Sequence, residues 1–250
     1  MEVSHNGNMY NLYSKKIAWM VIACLFLAGS KASGQYIGKD NHNYLSFNRK
    51  SYYFGLTMGM HTSGYRLNQS SFFVGNENIR ITEGIAEIGI NLHIITNLKI
   101  GQYFDFRFLP GFAFSNRTLE YTYVNSPNQP RETRTIESVF FEMPFALRFK
   151  SEPYKDKRGY VLAGIKYSYD VSSNAQSRMG NTLIRISPHD FQYEVGFGVQ
   201  FFFPYFIFSP EIKYSRGMGN ILLYNNELNQ SRVLEQVVSE IFTLSFHFEG

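Results

Sequence analysis

The side chains of this chain that could do covalent chemistry are few, and the sharpest pair is Ser187 and His189. Residues two apart on a strand share one face, so this pair could act as a nucleophile and its base in ester hydrolysis. No carboxylate stands two residues away on that face to orient the histidine. We therefore expect a polar cap at the start of a strand rather than a hydrolase.

Other combinations of reactive residues are also incomplete. Glu142 and Glu194 could form the carboxylate pair of a glycosidase, but both fall on the polar face of predicted strands, where charge pairing is the simpler role. His61, His93 and His247 show no recurring metal-ligand spacing. The sequence predicts no catalytic residue, no cofactor and no metal site, and we expect a protein that is not an enzyme.

The composition excludes several classes of protein. Apolar residues make up 44% of the 250 residues and charged residues 18%, below the quarter that is usual in soluble domains. The mean hydropathy is −0.23, so apolar and polar residues must be interspersed. This excludes a helical membrane bundle, which needs several runs of about 20 apolar residues. The net charge of +4 is too small and too scattered to indicate a nucleic-acid partner.

The N-terminus has the pattern of a secretory signal peptide. Two lysines precede the apolar run 17–28, and small residues follow it as far as Gly34. The run is too short to span a membrane as a permanent helix. We expect cleavage between Gly34 and Gln35, which assigns residues 1–34 to the signal peptide.

Cys24 leaves a second interpretation of this segment open. Residues 21–24 resemble a lipoprotein cleavage box, in which the cysteine would be acylated. The apolar run continues past Cys24, whereas a lipidated cysteine is normally followed by a polar tether, so we favour the cleaved signal. Because Cys24 is the only cysteine, a chain cleaved at Gln35 would have no disulfide, no catalytic thiol and no cysteine-bound metal.

From residue 51 onward apolar residues recur at every second position, the period of strands with two different faces. The eight alternating segments are residues 51–61, 86–94, 103–115, 139–149, 160–172, 189–203, 206–216 and 238–248. Each has about the length that crosses a bilayer as a tilted strand, and short and long connections alternate between them. We predict an all-β fold over residues 51–250, an eight-stranded antiparallel up-and-down transmembrane β-barrel. Short turns would be periplasmic, long loops extracellular, and residues 35–50 a short N-terminal periplasmic arm.

The alternation alone does not say which face points outward. A soluble eight-stranded barrel, such as a lipocalin, would place its apolar face inside. Here the polar face is rich in glycine, which suits a narrow lumen, and its opposite charges can satisfy one another when enclosed. We therefore expect an outer-membrane barrel with a charge network in its lumen. Its predicted members are Asp105, Arg107, Glu142, Arg148, Lys166, Asp170, Asp190, Glu194, Glu211 and Lys213.

The size of the predicted barrel bears on what it can do. Eight strands enclose a lumen that side chains fill, so we expect no open channel. Phe242, Leu244, Phe246 and Phe248 alternate toward lipid up to the end of the chain. This pattern resembles the terminal aromatic signal recognised by the barrel-insertion machinery. We expect that machinery and outer-membrane lipid as partners.

Six stretches carry a resemblance to a known family. They are residues 107–111 (RFLPG), 137–144 (ESVFFEMP), 164–170 (GIKYSYD), 188–194 (PHDFQYE), 208–213 (FSPEIK) and 242–249 (FTLSFHFE). Together they resemble the PorT family of Bacteroidetes, within the wider class of small outer-membrane β-barrel domains, and the likeness runs from about Tyr52 to Glu249.

The resemblance implies a role rather than a mechanism. PorT-like proteins are outer-membrane components required for type IX secretion, which moves proteins with a C-terminal sorting signal to the cell surface. A non-enzymatic component or assembly factor of that system is therefore implied, with other type IX components as partners and no catalytic residues to carry over. The alternative is a surface barrel of another class, either an adhesin-like binding protein or a lipid-A-modifying hydrolase.

Overall fold

The computed structural model describes residues 41–69, 79–123, 131–172, 185–223 and 234–250. One helix, α1 (His42–Asn48), precedes the strands β1 (Tyr52–Gln69), β2 (Ile79–Ile100), β3 (Phe104–Phe108), β4 (Gly111–Tyr123), β5 (Arg131–Lys150), β6 (Lys157–Asp170), β7 (Arg185–Ile186), β8 (His189–Phe202), β9 (Ile207–Gly217), β10 (Leu222–Leu223) and β11 (Leu234–Glu249). The predicted signal peptide, with its cleavage site at Gly34 and Gln35, and the first residues of the arm lie outside the described residues. No helix within these ranges is long and apolar enough to cross a membrane.

The strands close into a ring because β1 is paired on both sides. It runs antiparallel to β2, from Tyr52 opposite Leu98 to Ser63 opposite Glu87, and antiparallel to β11 on its other side. Around the ring the order is β1, β2, β3 with β4, β5, β6, β8, β9 and β11. Since β3 and β4 share one position between β2 and β5, the ring has eight strand positions, which we call staves. The predicted eight-stranded antiparallel barrel is confirmed.

The third stave is interrupted between β3 and β4. Pro110 on this stave and Pro144 on β5 have no N–H group, so two backbone donors are missing from the ladder at this height. The Leu109 N–H still reaches the Pro144 carbonyl over 3.1 Å, and the Pro110 carbonyl accepts from the Ile94 N–H over 2.9 Å. The single strand predicted here is therefore split in two without leaving the ring.

The two ends of the barrel differ in the length of their connections. Residues 101–103, 151–156 and 203–206 join strands at one end, and residues 70–78, 124–130, 171–188 and 218–233 join strands at the other. In outer-membrane barrels the short turns face the periplasm and the longer loops face the exterior. We name the two ends accordingly.

Several strands extend further toward the extracellular end than the sequence predicted. β1 continues to Gln69, β2 begins at Ile79, and β4 stays paired with β5 as far as Thr122 opposite Arg131. The segments predicted as strands end at residue 61 and begin again at residue 86, and likewise end at 115 and begin again at 139, so the connections predicted between them are too long. Above the bilayer no lipid requires an apolar face, so the period-two signal fades while backbone pairing continues.

The outer wall is apolar and the polar side chains point inward. On β1 the exposed residues Leu56, Met58 and Met60 alternate with the buried residues Thr57 and His61. Exposed apolar residues continue around the ring, among them Leu92, Ile94, Phe106, Phe112, Phe145, Leu147, Ile165, Phe191, Phe197, Ile212, Phe242 and Phe248. A soluble barrel would show the opposite pattern.

The four aromatic and aliphatic residues predicted as an insertion signal lie on the lipid-facing side of β11. Phe242, Leu244 and Phe248 are exposed, and Phe246 stacks on Phe208 of β9 with its ring plane tilted by 4°. Their role in insertion stays a prediction.

Replacing Phe248 with alanine should lower barrel insertion and raise periplasmic degradation, because it removes a lipid-facing ring from the last stave. The measurement is the heat-modifiable fraction of the protein on gels, with Phe197→Ala on β8 as a lipid-facing control away from the terminus. Equal insertion of the two variants would contradict a terminal signal at Phe248.

Helix α1 closes the periplasmic end of the barrel, which the sequence did not predict for this part of the arm. Tyr44 and Phe47 of the helix form an apolar cluster with Phe202 of β8 and Ile207 of β9, and all four are at most 6% exposed. The rings of Tyr44 and Phe202 meet edge to face at 5.2 Å. Burial in this cluster raises the pKa of the Tyr44 phenol.

The turn between β5 and β6 holds the helix in place through Asp156. Its carboxylate accepts from the Tyr44 N–H over 2.9 Å and from the Asn43 amide over 3.2 Å, and its own N–H donates to Asn41 over 3.0 Å. On the other side, Lys99 Nζ donates to the Phe47 carbonyl over 2.5 Å. Polar contacts from the β5–β6 turn and from β2 therefore hold the helix over the mouth of the barrel.

Asp156→Gly should loosen α1 without unfolding the barrel, because it removes both carboxylate contacts and leaves the positive φ of this residue, 56°, accessible. We expect faster trypsin cleavage after Arg49 and Lys50, with the 51–250 fragment still heat-modifiable. Lys155→Gly is the matched control, since Lys155 has φ of 48° in the same turn. Equal cleavage rates in the two variants would show that Asp156 does not hold the helix.

Candidate functional site in the barrel lumen

Period-two alternation brings charged side chains from six of the eight staves into the lumen. Among the described residues, six buried carboxylates face seven buried cationic side chains. The carboxylates belong to Asp105, Glu142, Asp190, Glu194, Glu211 and Glu249, and the cations to Arg107, Arg117, Arg148, Lys150, Arg158, Lys166 and Lys213. The lumen is therefore close to neutral, as an enclosed space requires.

The walls leave little room because glycines line them where side chains crowd. At Gly89, a Cβ atom would lie 2.3 Å from the Phe114 carbonyl oxygen and 2.4 Å from His61 Nε2. At Gly164, it would lie 2.3 Å from the Phe145 carbonyl oxygen. A glycine inside a strand marks such close approaches.

The group nearest the periplasm is centred on Asp105. The register of β3 and β5 places Asp105 directly opposite Arg148, whose Nη2 donates to its carboxylate over 2.6 Å. Lys150 Nζ donates to the other carboxylate oxygen. Tyr53 donates its hydroxyl to Asp105 over 3.3 Å and accepts from Arg148. One carboxylate therefore serves two buried cations.

The middle group is centred on Arg107, which joins two carboxylates. Its Nη1 lies 2.9 Å from Glu211 Oε2 and its Nη2 lies 2.5 Å from Glu249 Oε1. Glu211 also accepts from the Tyr160 hydroxyl over 2.8 Å, and His247 Nε2 lies 3.2 Å from its other oxygen. Both oxygens of Glu211 therefore have polar neighbours.

The third group surrounds Lys166. Its Nζ lies 3.0 Å from Glu142 and 3.6 Å from Glu194. His93 Nε2 lies 3.1 Å from the second oxygen of Glu142, and the Ser215 hydroxyl donates to Glu194 over 2.9 Å. The lysine is 4% exposed, so its charge depends on these two carboxylates.

Three longer contacts link the groups into one chain. Arg148 Nη1 lies 3.6 Å from Glu249, and Lys213 Nζ lies 3.8 Å from Glu194 and 3.9 Å from Glu211. The resulting chain is Lys150, Asp105, Arg148, Glu249, Arg107, Glu211, Lys213, Glu194, Lys166, Glu142 and His93, which we call the lumen network. Its basic and acidic members alternate, so each charge has partners of opposite sign that offset its loss of water.

Above the lumen network, Arg117 contacts hydroxyl groups and aromatic rings, and apolar side chains follow. Arg117 donates to Ser63 over 2.7 Å and to Ser239 over 3.1 Å, and its guanidinium lies 4.9 Å from the Tyr65 ring centre and 4.8 Å from that of Phe140. Buried apolar residues follow at the extracellular end, namely Ile221, Leu222, Leu234, Val237, Val238 and Ile241. In the described part of the chain, buried apolar side chains lie beyond both ends of the lumen network.

The structure brings eight of the ten predicted lumen residues into the lumen network and leaves two outside it. Asp190 is buried and accepts from Gln192 Nε2 over 2.7 Å, without an ion pair among the described residues. Asp170 is half-buried, and its carboxylate accepts from the Ser172 N–H over 3.0 Å, which is a local turn contact. Both lie toward the extracellular end.

Sequence reasoning missed Lys150, Glu249 and Arg117. Each lies at an inward-facing position of its stave. Each also lies beyond the end of the alternating segment from which the strand was predicted. Continuing the alternation of β5 from Arg148 by two residues would have found Lys150, and continuing that of β11 from His247 would have found Glu249.

The candidate catalytic pair does not assemble into a reactive group. Among the described residues, the contacts of the Ser187 hydroxyl are with the backbone of His189, at 3.1–3.2 Å, and His189 Nδ1 lies 2.7 Å from the Tyr167 hydroxyl. The imidazole packs against the rings of Tyr167 and Tyr169. The described residues contain no group of three or more side chains suited to hold a metal ion.

Comparison with solved structures gives distant likenesses to small outer-membrane proteins. Neisserial surface protein A is 11% identical, covering 78% of this chain and 96% of its own, with a TM-score of 0.39. OprG from Pseudomonas aeruginosa is 10% identical with the same coverage and a TM-score of 0.42. Ail of Yersinia pestis, solved with the heparin analogue sucrose octasulfate, is 13% identical, covering 80% of this chain and 100% of its own, with a TM-score of 0.36.

The comparison with protein families is decisive. No curated protein matches the chain. The model of one family, the outer membrane protein beta-barrel domain, matches residues 40–223, which include α1 and most of the staves. The closed ring, the apolar outer wall and the enclosed charges agree with this match. The chain therefore belongs to the outer membrane protein β-barrel domain family.

Proposed function

We propose that the protein is a non-enzymatic component or assembly factor of the type IX secretion system, acting through its surface and its partners. The observation that carries this proposal is the placement of the stretches that resemble the PorT family. They supply Arg107, Glu142, Lys166, Glu194, Glu211, Lys213 and Glu249 to the lumen network. Each of the six stretches therefore contributes at least one member to the lumen network.

The closed lumen supports a role without transport through the barrel. A lumen filled by ion pairs, with buried apolar side chains beyond both ends of the network, leaves no path for a protein or a sugar. The described residues also offer no nucleophile with an oriented base. An exported barrel of this kind acts by presenting surfaces to neighbouring proteins and to lipid.

Deletion of the gene tests the proposal. Secretion of cargo that carries a C-terminal sorting signal should fall, and a plasmid copy of the wild-type gene should restore it. Intact secretion in the deletion strain would overturn the proposal, and a simultaneous change in lipid A would favour the hydrolase alternative.

A second complementation separates structural from working roles of the lumen. Glu194→Gln should restore secretion in proportion to the amount of folded barrel in the membrane. Normal barrel levels without secretion would instead give the lumen a direct part in the process.

A further inference from the structure

A groove of about 350 Å³ lies in the outer wall where β9, β11, β1 and β2 meet. It arises on β1, whose outward residues Thr62 and Gly64 are small. Thr62 stands opposite Phe242 on one side and Ile88 on the other, and these are 57% and 75% exposed. Met60 and Leu244 close the groove toward the periplasm. The depression is therefore apolar and narrow, with one small hydroxyl on its floor.

The groove opens upward onto charged residues. Along β1 the next outward residue after Gly64 is Arg66, which is exposed. Arg66 is four residues beyond Thr62, about 14 Å along the strand, so it lies above the open end of the groove with Gly64 between them. No ion pair joins Arg66 to a residue in the described ranges.

The neighbouring strands β11 and β9 add one charge of each sign at the level of Gly64, between Thr62 and Arg66. Glu240 of β11 stands opposite both Gly64 and Arg216 of β9. Its carboxylate also accepts from the Tyr214 hydroxyl over 2.6 Å. Arg216 stands beside Glu240 and offsets its charge, and Arg66, which stands opposite Val238, adds a positive charge above this pair.

We propose that this groove is a binding site for one anionic lipid of the outer leaflet, with an acyl chain between Phe242 and Ile88 and the headgroup against Arg66. The volume lies in the range of small-molecule sites, and the lining is apolar with a polar group at one end. These charged residues lie next to the apolar band, at the depth where lipid headgroups begin. Basic residues at this depth attract anionic lipid. The site is independent of the role in secretion.

The test is native mass spectrometry of the full chain, purified in detergent and mixed with phosphatidylglycerol or with phosphatidylcholine of the same acyl chains. We expect one molecule of phosphatidylglycerol to be retained at least tenfold more strongly than phosphatidylcholine. Thr62→Leu, which fills the floor, and Arg66→Gln, which removes the charge, should each reduce that retention at least fivefold.

Three conservative variants serve as controls. Thr62→Val keeps the volume of the floor, Arg66→Lys keeps the charge, and Val195→Leu enlarges a lipid-facing residue on β8, so all three should retain the lipid. Heat-modifiable mobility verifies that every variant is folded. Equal retention of the two lipids by the wild type, or unchanged retention in folded Thr62→Leu or Arg66→Gln, would overturn the proposal.

Discussion

Replacing Arg107 with methionine should lower the free energy of unfolding by about 3–5 kcal/mol, which is the usual loss when one partner of a buried ion pair is removed. Arg107 is 1% exposed and joins Glu211 and Glu249. Its loss would leave Glu249 with the longer contacts to Arg148, at 3.6 Å, and to Gln200, at 3.5 Å. The measurement is urea unfolding in lipid or detergent.

A double-mutant cycle separates the ion pair from general damage to packing. Arg107→Met leaves the buried Glu249 carboxylate without its nearest cation, and Glu249→Gln removes that negative charge. The double variant should therefore lose less free energy of unfolding than the sum of the two single losses. Strict additivity, or a loss below about 1 kcal/mol for Arg107→Met, would contradict a structural role of the network.

Gly164→Ala, which adds one methyl group, should lower the free energy of unfolding by about 3 kcal/mol or more. This is the upper end of the range of about 1–3 kcal/mol that overpacking usually costs. The new Cβ atom would lie 2.3 Å from the Phe145 carbonyl oxygen and 2.8 Å from Ala146 Cα. Both are backbone atoms of the paired strand β5, so no side-chain movement relieves the clash. We expect Gly164→Ala to lower the folded fraction on heat-modifiability gels.

Gly159 offers a matched control on the same strand. There the nearest atom to a new Cβ is Ser151 Oγ, at 3.8 Å, which is ordinary contact. Gly159→Ala should leave the barrel intact or stabilise it by about 0.4–1 kcal/mol, since alanine restricts the unfolded chain. Equal effects of the two substitutions would show that the wall is not packed as described.

The sequence predicts the fold well because the bilayer imposes a strict pattern on the staves. Lipid outside and a narrow lumen inside force apolar and polar residues to alternate, so strand number and inward parity follow directly. Asp105, Arg107 and Lys166 lie inside, where that parity places them. Outside the bilayer this requirement ends, and the extensions of β2 and β4 therefore carry no readable signal.

Features that depend on tertiary contacts are not visible in the sequence. Helix α1 is seven residues long, too short to be stable alone, and it depends on Asp156 and Phe202, which lie more than 100 residues away in the chain. The register of the strands around the lumen likewise decides which inward-facing charged side chains form ion pairs. Parity alone therefore does not distinguish Glu194, which is paired, from Asp190, which has no ion pair among the described residues.

Conductance in a planar bilayer tests the closed lumen most directly. With the lumen network in place and apolar side chains beyond both of its ends, the purified barrel should give no stable steps on the nanosiemens scale, because a filled eight-stranded lumen leaves no aqueous channel. Asp156→Gly should also stay silent, since the lumen network lies behind α1. Stable, reproducible steps from the wild-type protein would contradict the closed, structural lumen on which this account depends.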